Sequence, residues 1–282
     1  KRQRLVDLWW QYEHYRAPLY ESLRAFSRVL CRSFVSSHHA FSMVSPRQIF
    51  SHNVGVFLFD KYAAFAVLQS RAHQRFVDVF SSTLEDRQGY RPTDCFENYP
   101  FPEHWDTLQA LESAGKNYHD FRADLMVKND EGLTDTYNRF NDPSERSPHL
   151  LKLRELHSAM DRAVLDAYGW TDIPTDCEFL LDYEIDEETW GNKKKPFRYR
   201  WPDEVHDEVL ARLLELNQKR YEEEVVAGLH GGAAKGTTAK PKATKKAPKK
   251  SAPKKTTRRK KAPASLSLFD SVGAGTDEGK NS

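Results

Sequence analysis

Residues 90–102 read Tyr-Arg-Pro-Thr-Asp-Cys-Phe-Glu-Asn-Tyr-Pro-Phe-Pro, four aromatics and three prolines in one short segment. Each proline fixes its own φ and biases the residue before it toward extended geometry, so Arg91, Tyr99 and Phe101 are expected outside helices. Phe96, Tyr99 and Phe101 are large and apolar, and a stiff segment cannot coil to hide them. The segment therefore reads as a strap whose rings dock into grooves on the elements either side, a seam between two halves. An ordinary proline-rich connector is the other reading of the same residues.

Upstream of the strap the periodicity is mixed. Leu5, Leu8, Trp9, Tyr12, Tyr15, Leu19, Leu23 and Phe26 fall at helical spacing over residues 4–28, with a break expected at Ala17 before Pro18. Residues 29–36 and 40–44 are β-prone runs joined hairpin-fashion through Ser37, His38 and His39, and residues 54–59 are an apolar run of strand length. A single long helix is expected from Tyr62 to about Ser81. Downstream, helices are expected over residues 105–126, with a weak point at Gly115, over 131–140, from Pro148 to a cap at Gly169, and from Asp203 to about Val226. Residues 171–202 read as irregular. The fold class is α+β: a helical lead-in (1–28), a small mixed α/β recognition module (29–102), a helical domain (103–228) and a disordered basic tail (229–282).

Charge divides the chain more sharply than its net of +2 suggests. Residues 1–101 hold 13 Lys and Arg against 9 Asp and Glu, residues 102–230 hold 16 against 29, and residues 231–282 hold 14 against 3. A nucleic-acid partner would be drawn to the first and last segments and repelled by the middle one. The DNA-contacting candidates are therefore Arg28, Arg32, Ser36, Ser37, His38, His39, Arg47, Arg71, Arg75, Arg87 and Arg91, side chains suited to phosphate or base-edge contact. For each arginine a solvated or salt-bridged role is the competing reading. Adjacent histidines in a strand point to opposite faces, so no metal site is assigned to His38 and His39. Cys31, Cys95 and Cys177 lack ligand spacing and read as reduced thiols.

Residues 231–264 carry 13 Lys or Arg and no acid among Ala, Pro and Thr, a composition that cannot bury a core. Within the tail, Leu266, Leu268 and Phe269 (motif 265–269) form an apolar island similar to the peptide by which bacterial replication proteins bind the sliding clamp, with Ser265 in place of the usual glutamine. Chance hydrophobics are the alternative. No apolar run reaches membrane-spanning length and no signal peptide opens the chain, so the expectation is a cytoplasmic, nucleoid-associated protein with no membrane partner. Because Lys1 already lies in a helical pattern, the chain is expected to be a fragment.

Four blocks carry a family resemblance. AFAVLQSRAHQRFVDVFSSTLEDRQGYRPTDCFENYPFP (64–102) resembles the end of the target-recognition region of large adenine-specific DNA methyltransferases, the MmeI-like restriction-modification enzymes and their phage-defence relatives. NDEGLTDTYNRFNDP (129–143), LRELHSAMDRAVLDAYGW (153–170) and DEVLARLLELNQKR (207–220) resemble C-terminal segments of the same family in the same order. The resemblance implies a module lying along duplex DNA, helices bracing it, and a methyltransferase domain elsewhere that uses S-adenosylmethionine. This chain carries neither a glycine-rich loop for that cofactor nor an Asn/Asp-Pro-Pro-aromatic loop; Asn98-Tyr99-Pro100-Phe101 has tyrosine where the first proline is needed. No catalytic residue is assigned, and the chain is expected to be inactive alone. A non-enzymatic DNA tether or scaffold, or a stand-alone specificity subunit, is the alternative.

Overall fold

Every residue from Tyr62 to Gln69 is buried, and this one helix forms the axis of the core. The computed structural model describes residues 16–84, 87–182 and 195–229. In chain order they form α1 (Ala17–Leu23), β1 (Val29–Ser33), β2 (Val35–Ser36), β3 (Ser42–Val44), β4 (Val54–Phe57), α2 (Tyr62–Gln69), α3 (Arg71–Phe80), β5 (Ser82–Leu84), β6 (Arg87–Gly89) and α4 (Pro92–Cys95). A 3-10 turn, Trp105–Thr107, leads to α5 (Gln109–Asn129), α6 (Leu133–Phe140), α7 (Pro148–Ala167), β7 (Glu178–Leu181), β8 (Phe197–Arg200) and α8 (Asp203–Val226). The fold is α+β, as the sequence predicts. The expected tail and the motif 265–269 lie outside the described residues.

β1 is the centre of an antiparallel sheet of order β3-β1-β4, with Leu30 opposite both Met43 and Phe57. Its alternation sorts the two faces. Leu30 and Phe57 turn toward the main core with Phe41, while Val29 and Cys31 pack with Leu19, Leu23 and Phe26 of the α1 region. The expected hairpin between β1 and β3 is present, but β2 leaves it after Ser33 and joins a second antiparallel sheet, β2-β6-β5. α1 begins at Ala17 with Pro18 in its first turn, a helix start at the position where the break was expected; residues 1–15, with the earlier part of that pattern, lie outside the described residues.

The expected single helix from Tyr62 to Ser81 is two. Ser70 is extended (φ −63, ψ 158); its hydroxyl donates to the Val67 carbonyl at 2.7 Å and accepts the His73 amide at 3.3 Å, closing one helix and capping the next. The strap also differs from a uniformly extended run. Arg91 is extended, but Pro92 opens the four-residue helix α4, where its fixed φ and missing N–H suit the first turn. The rings dock as expected: Tyr99 lies 4.6 Å from His73, Phe96 4.9 Å from Phe57, and Phe101 5.4 Å from Trp105, centroid to centroid.

α5 and α7 pack on α2, and one hydrophobic cluster runs from Leu30 to Leu213. The change in composition near residue 102 thus marks a change of secondary structure across a shared core. Gly115 is no weak point. A Cβ there would stand 2.2 Å from the Tyr62 carbonyl oxygen, so the glycine allows α5 to approach α2. Residues 171–202 are not irregular throughout either, since β7 and β8 pair antiparallel with Phe179 opposite Tyr199.

Candidate nucleic-acid interface

The Ser36–His39 loop joins β2 to the strand β3, and two depressions meet at it. One is a groove of about 650 Å³ over β1, β2 and β3, edged by Ser33, Ser36, Ser37, Ile49, Arg87 and Thr134. The other is a cleft of about 470 Å³ between β6, α3, the β7–β8 pair and the start of α8, reached by Ser37, Arg75, Asp78, Arg87, Arg198 and Arg200. Ser37, His38 and Arg87 line both, so the loop is the ridge between them.

Both histidines of the loop are buried and turned inward. Arg32 donates from Nη1 to His39 Nδ1 at 2.6 Å, which leaves Nε2–H to donate to the Leu68 carbonyl at 2.7 Å. Arg198 donates from Nη1 to His38 Nδ1 at 3.0 Å, and His38 Nε2–H donates to Asn138 Oδ1 at 2.9 Å. Burial first, then the facing guanidinium, push His38 down to about 4 and His39 well below the ordinary histidine range. Both rings are neutral anchors with every nitrogen engaged. Among the described residues no cluster of three His, Cys, Asp or Glu side chains is arranged to hold a metal.

The arginine candidates separate into two kinds. Arg32 is 2% exposed; besides His39 it bonds Gln88 Oε1 and lies 4.4 Å from the Tyr90 ring centroid, and burial lowers its guanidinium to about 10, still charged at neutral pH. Arg71 is equally buried, paired with Asp161 beside His157, and donates to the Tyr199 carbonyl at 3.1 Å. Neither presents its guanidinium to solvent, so the structure gives both an internal role. Arg28 donates to the Asp60 carbonyl at 2.6 Å over the Tyr62 ring, and Arg75 pairs with Asp207 at 2.8 Å. Arg47, Arg87 and Arg91 are exposed. Arg47 precedes the groove-lining residues Gln48 and Ile49, Arg87 touches both depressions, and Arg91 lies 3.8 Å from Asp94. Of the serines, Ser37 is exposed and Ser36 half-buried.

Sequence reasoning left Arg198, Arg200, Gln88 and Asn138 outside the candidate set. Their signal was faint: Arg198 and Arg200 alternate with Phe197 and Tyr199, a strand pattern whose partner lies across residues 182–196. Asn98 and Tyr99 are structural, the amide donating to the Thr93 carbonyl at 2.7 Å and the ring buried. Among the described residues no helix is long and apolar enough to cross a membrane.

No family model matches the chain, and no curated protein matches it. Among solved structures it is similar to the Type IIL restriction-modification enzyme MmeI in complex with DNA, at 19% sequence identity and a TM-score of 0.48, over 70% of this chain. The chain spans 22% of the length of that enzyme's chain.

Proposed function

We propose that this chain is the DNA target-recognition portion of a site-specific adenine-N6 DNA methyltransferase of a restriction-modification or phage-defence system. The four ordered sequence blocks support the family. The observation that carries the role is the loop ridge: Ser37 between two depressions, Ser36 on the edge of one of them and Arg87 lining both, with Arg47 close in sequence to the groove on the basic half of the chain. Hydroxyls on a raised loop suit contact with base edges, and exposed arginines suit the flanking phosphates. The acidic helices would face away from the duplex and brace the module against a methyltransferase domain.

On this reading the catalytic portion, outside this chain, binds S-adenosylmethionine and takes the adenine out of the stack, while this chain fixes register. The basic tail adds a sequence-independent tether, and Leu266, Leu268 and Phe269 offer the sliding clamp a short docking peptide. The setting would be the bacterial cytoplasm, close to the nucleoid.

The test is binding of short random-sequence duplexes across a salt series by the full chain, by residues 1–230, and by an Arg47→Ala/Arg87→Ala/Arg91→Ala variant. Removing the tail should lower affinity alike for all sequences and flatten the salt slope, and each exposed arginine lost should reduce the slope by about 1. Residues 1–230 should bind duplex DNA weakly and need the catalytic portion for sequence preference, so tight, sequence-selective binding by them alone would contradict that division of labour, and a triple variant indistinguishable from wild type would remove the DNA face.

A further inference from the structure

We infer that Arg198 and Asn138 are positioning residues for the DNA-reading loop: by gripping His38 from the helical half of the chain they fix where Ser37 stands. The inference rests on the functional reading above, which it deepens by naming what controls the loop's conformation.

The grip is built from three elements. Arg198, on β8, spends all three nitrogens: Nη1 to His38 Nδ1, Nη2 to the Ser37 carbonyl and Nε to Asp182 Oδ2, each at 3.0 Å. Asn138, on α6, accepts from His38 Nε2 at 2.9 Å, and the neighbouring Tyr137 ring stacks on the imidazole at 5.7 Å and 25°. The hydrogen bonds made to the loop from Asn138 and Arg198 span 100 to 161 positions, so its shape is set from across the chain as well as by the local bond from the His38 amide to Ser36 Oγ at 3.2 Å. A guanidinium only donates, so His38 must keep a bare Nδ1 and carry its proton on Nε2; the two partners select one tautomer and one ring orientation. On the far side Arg32 and Leu68 hold His39 in the same manner. With both histidines anchored, Ser37 is left projecting, and its backbone carbonyl is tied to Arg198 so that the peptide plane cannot turn. The recognition loop is thereby pre-organised from the acidic half, which itself has no attraction for DNA.

The variants Arg198→Ala, Asn138→Ala and Asn138→Asp in the full chain test this, read first without DNA. Amide hydrogen exchange of residues 36–39 should rise about tenfold in both alanine variants while α2 and α7 keep their protection. Asn138→Asp keeps an acceptor for Nε2–H and should retain slow exchange. The nitrogen chemical shifts of the His38 ring should report Nε2–H in wild type and Asn138→Asp, and a mixture of tautomers in Arg198→Ala. Unchanged loop exchange in both alanine variants overturns the inference. If Arg198→Ala loosens the whole protein, the Asn138 pair decides: equal exchange in its alanine and aspartate forms overturns the inference, and faster exchange in alanine alone supports it. Adding short random-sequence duplexes then separates this idea from the one beneath it. Protection of residues 36–39 in wild type, weakened in Arg198→Ala, supports both. No protection in wild type, with the exchange differences present, overturns the DNA reading and leaves the grip in place.

Discussion

A guanidinium's role in this protein is decided by what surrounds it. Arg71 and Asp161 are 2% and 0% exposed, and the pair is completed by the Arg71 amide donating to Asp161 Oδ1 at 2.9 Å. Burial alone would raise the Asp161 carboxyl, but His157 and Arg71 hold it below the usual carboxylate range. Asp161→Asn would keep the volume and leave a buried cation without its counter-charge, so unfolding stability should fall by about 3–5 kcal/mol in denaturant titration. A loss below about 1 kcal/mol, the size of a solvated pair, would contradict the internal role given to Arg71. This pair was half-legible in sequence. Asp161 follows His157 by four positions on the stripe of Leu153, Met160 and Val164, and an acid on an apolar stripe implies a buried partner. Nothing local to Arg71 identified that partner, because the two meet only through the packing of α3 against α7.

Whole elements were legible where their signals are local. Pro148 and Gly169 bound α7 as expected, and Gly169 has the positive φ of 79 that a helix C-terminus favours. The pairs β5–β6 and β7–β8 escaped because their runs are short and, for β7–β8, far apart in sequence. Gly115 was misread for the opposite reason: helix propensity alone counts glycine as a defect worth about 1 kcal/mol against alanine. Here tertiary proximity wins. With Tyr62 O only 2.2 Å from the position of an added methyl, Gly115→Ala must push α5 off α2, and we expect a destabilisation of about 2–3 kcal/mol despite the better propensity. Thermal and denaturant unfolding of the variant measure the sign directly. A gain in stability would mean that the two helices are not in this contact in solution.

Across the whole molecule, buried neutral histidines tie separate elements together. His38 links the loop to α6 and β8, His39 links it to α2, and His206 packs its ring 5.9 Å from the buried Trp201 at the head of α8. Burial is the first cause lowering all three, followed by Arg198, Arg32 and Arg200 respectively; His38 and His206 come down to about 4. Unfolding releases these rings to titrate at their ordinary value near 6.5. Between about pH 6.5 and 4 the unfolded chain therefore binds more protons than the folded one, and stability falls as the pH falls. For a ring lowered from 6.5 to about 4 the accumulated loss approaches about 3 kcal/mol, so His38 and His206 together reach the scale of a domain's total stability. Asp78, raised to about 7 first by burial, works in the opposite sense between its ordinary 3.8 and 7, while His73, lowered to about 4, adds to the decline, so denaturant midpoints should fall through this window. His206→Leu, which leaves the loop untouched, should flatten part of that decline. A midpoint constant from neutrality to about pH 4 would mean that these rings are open to water, and the junction that holds the loop would then be absent.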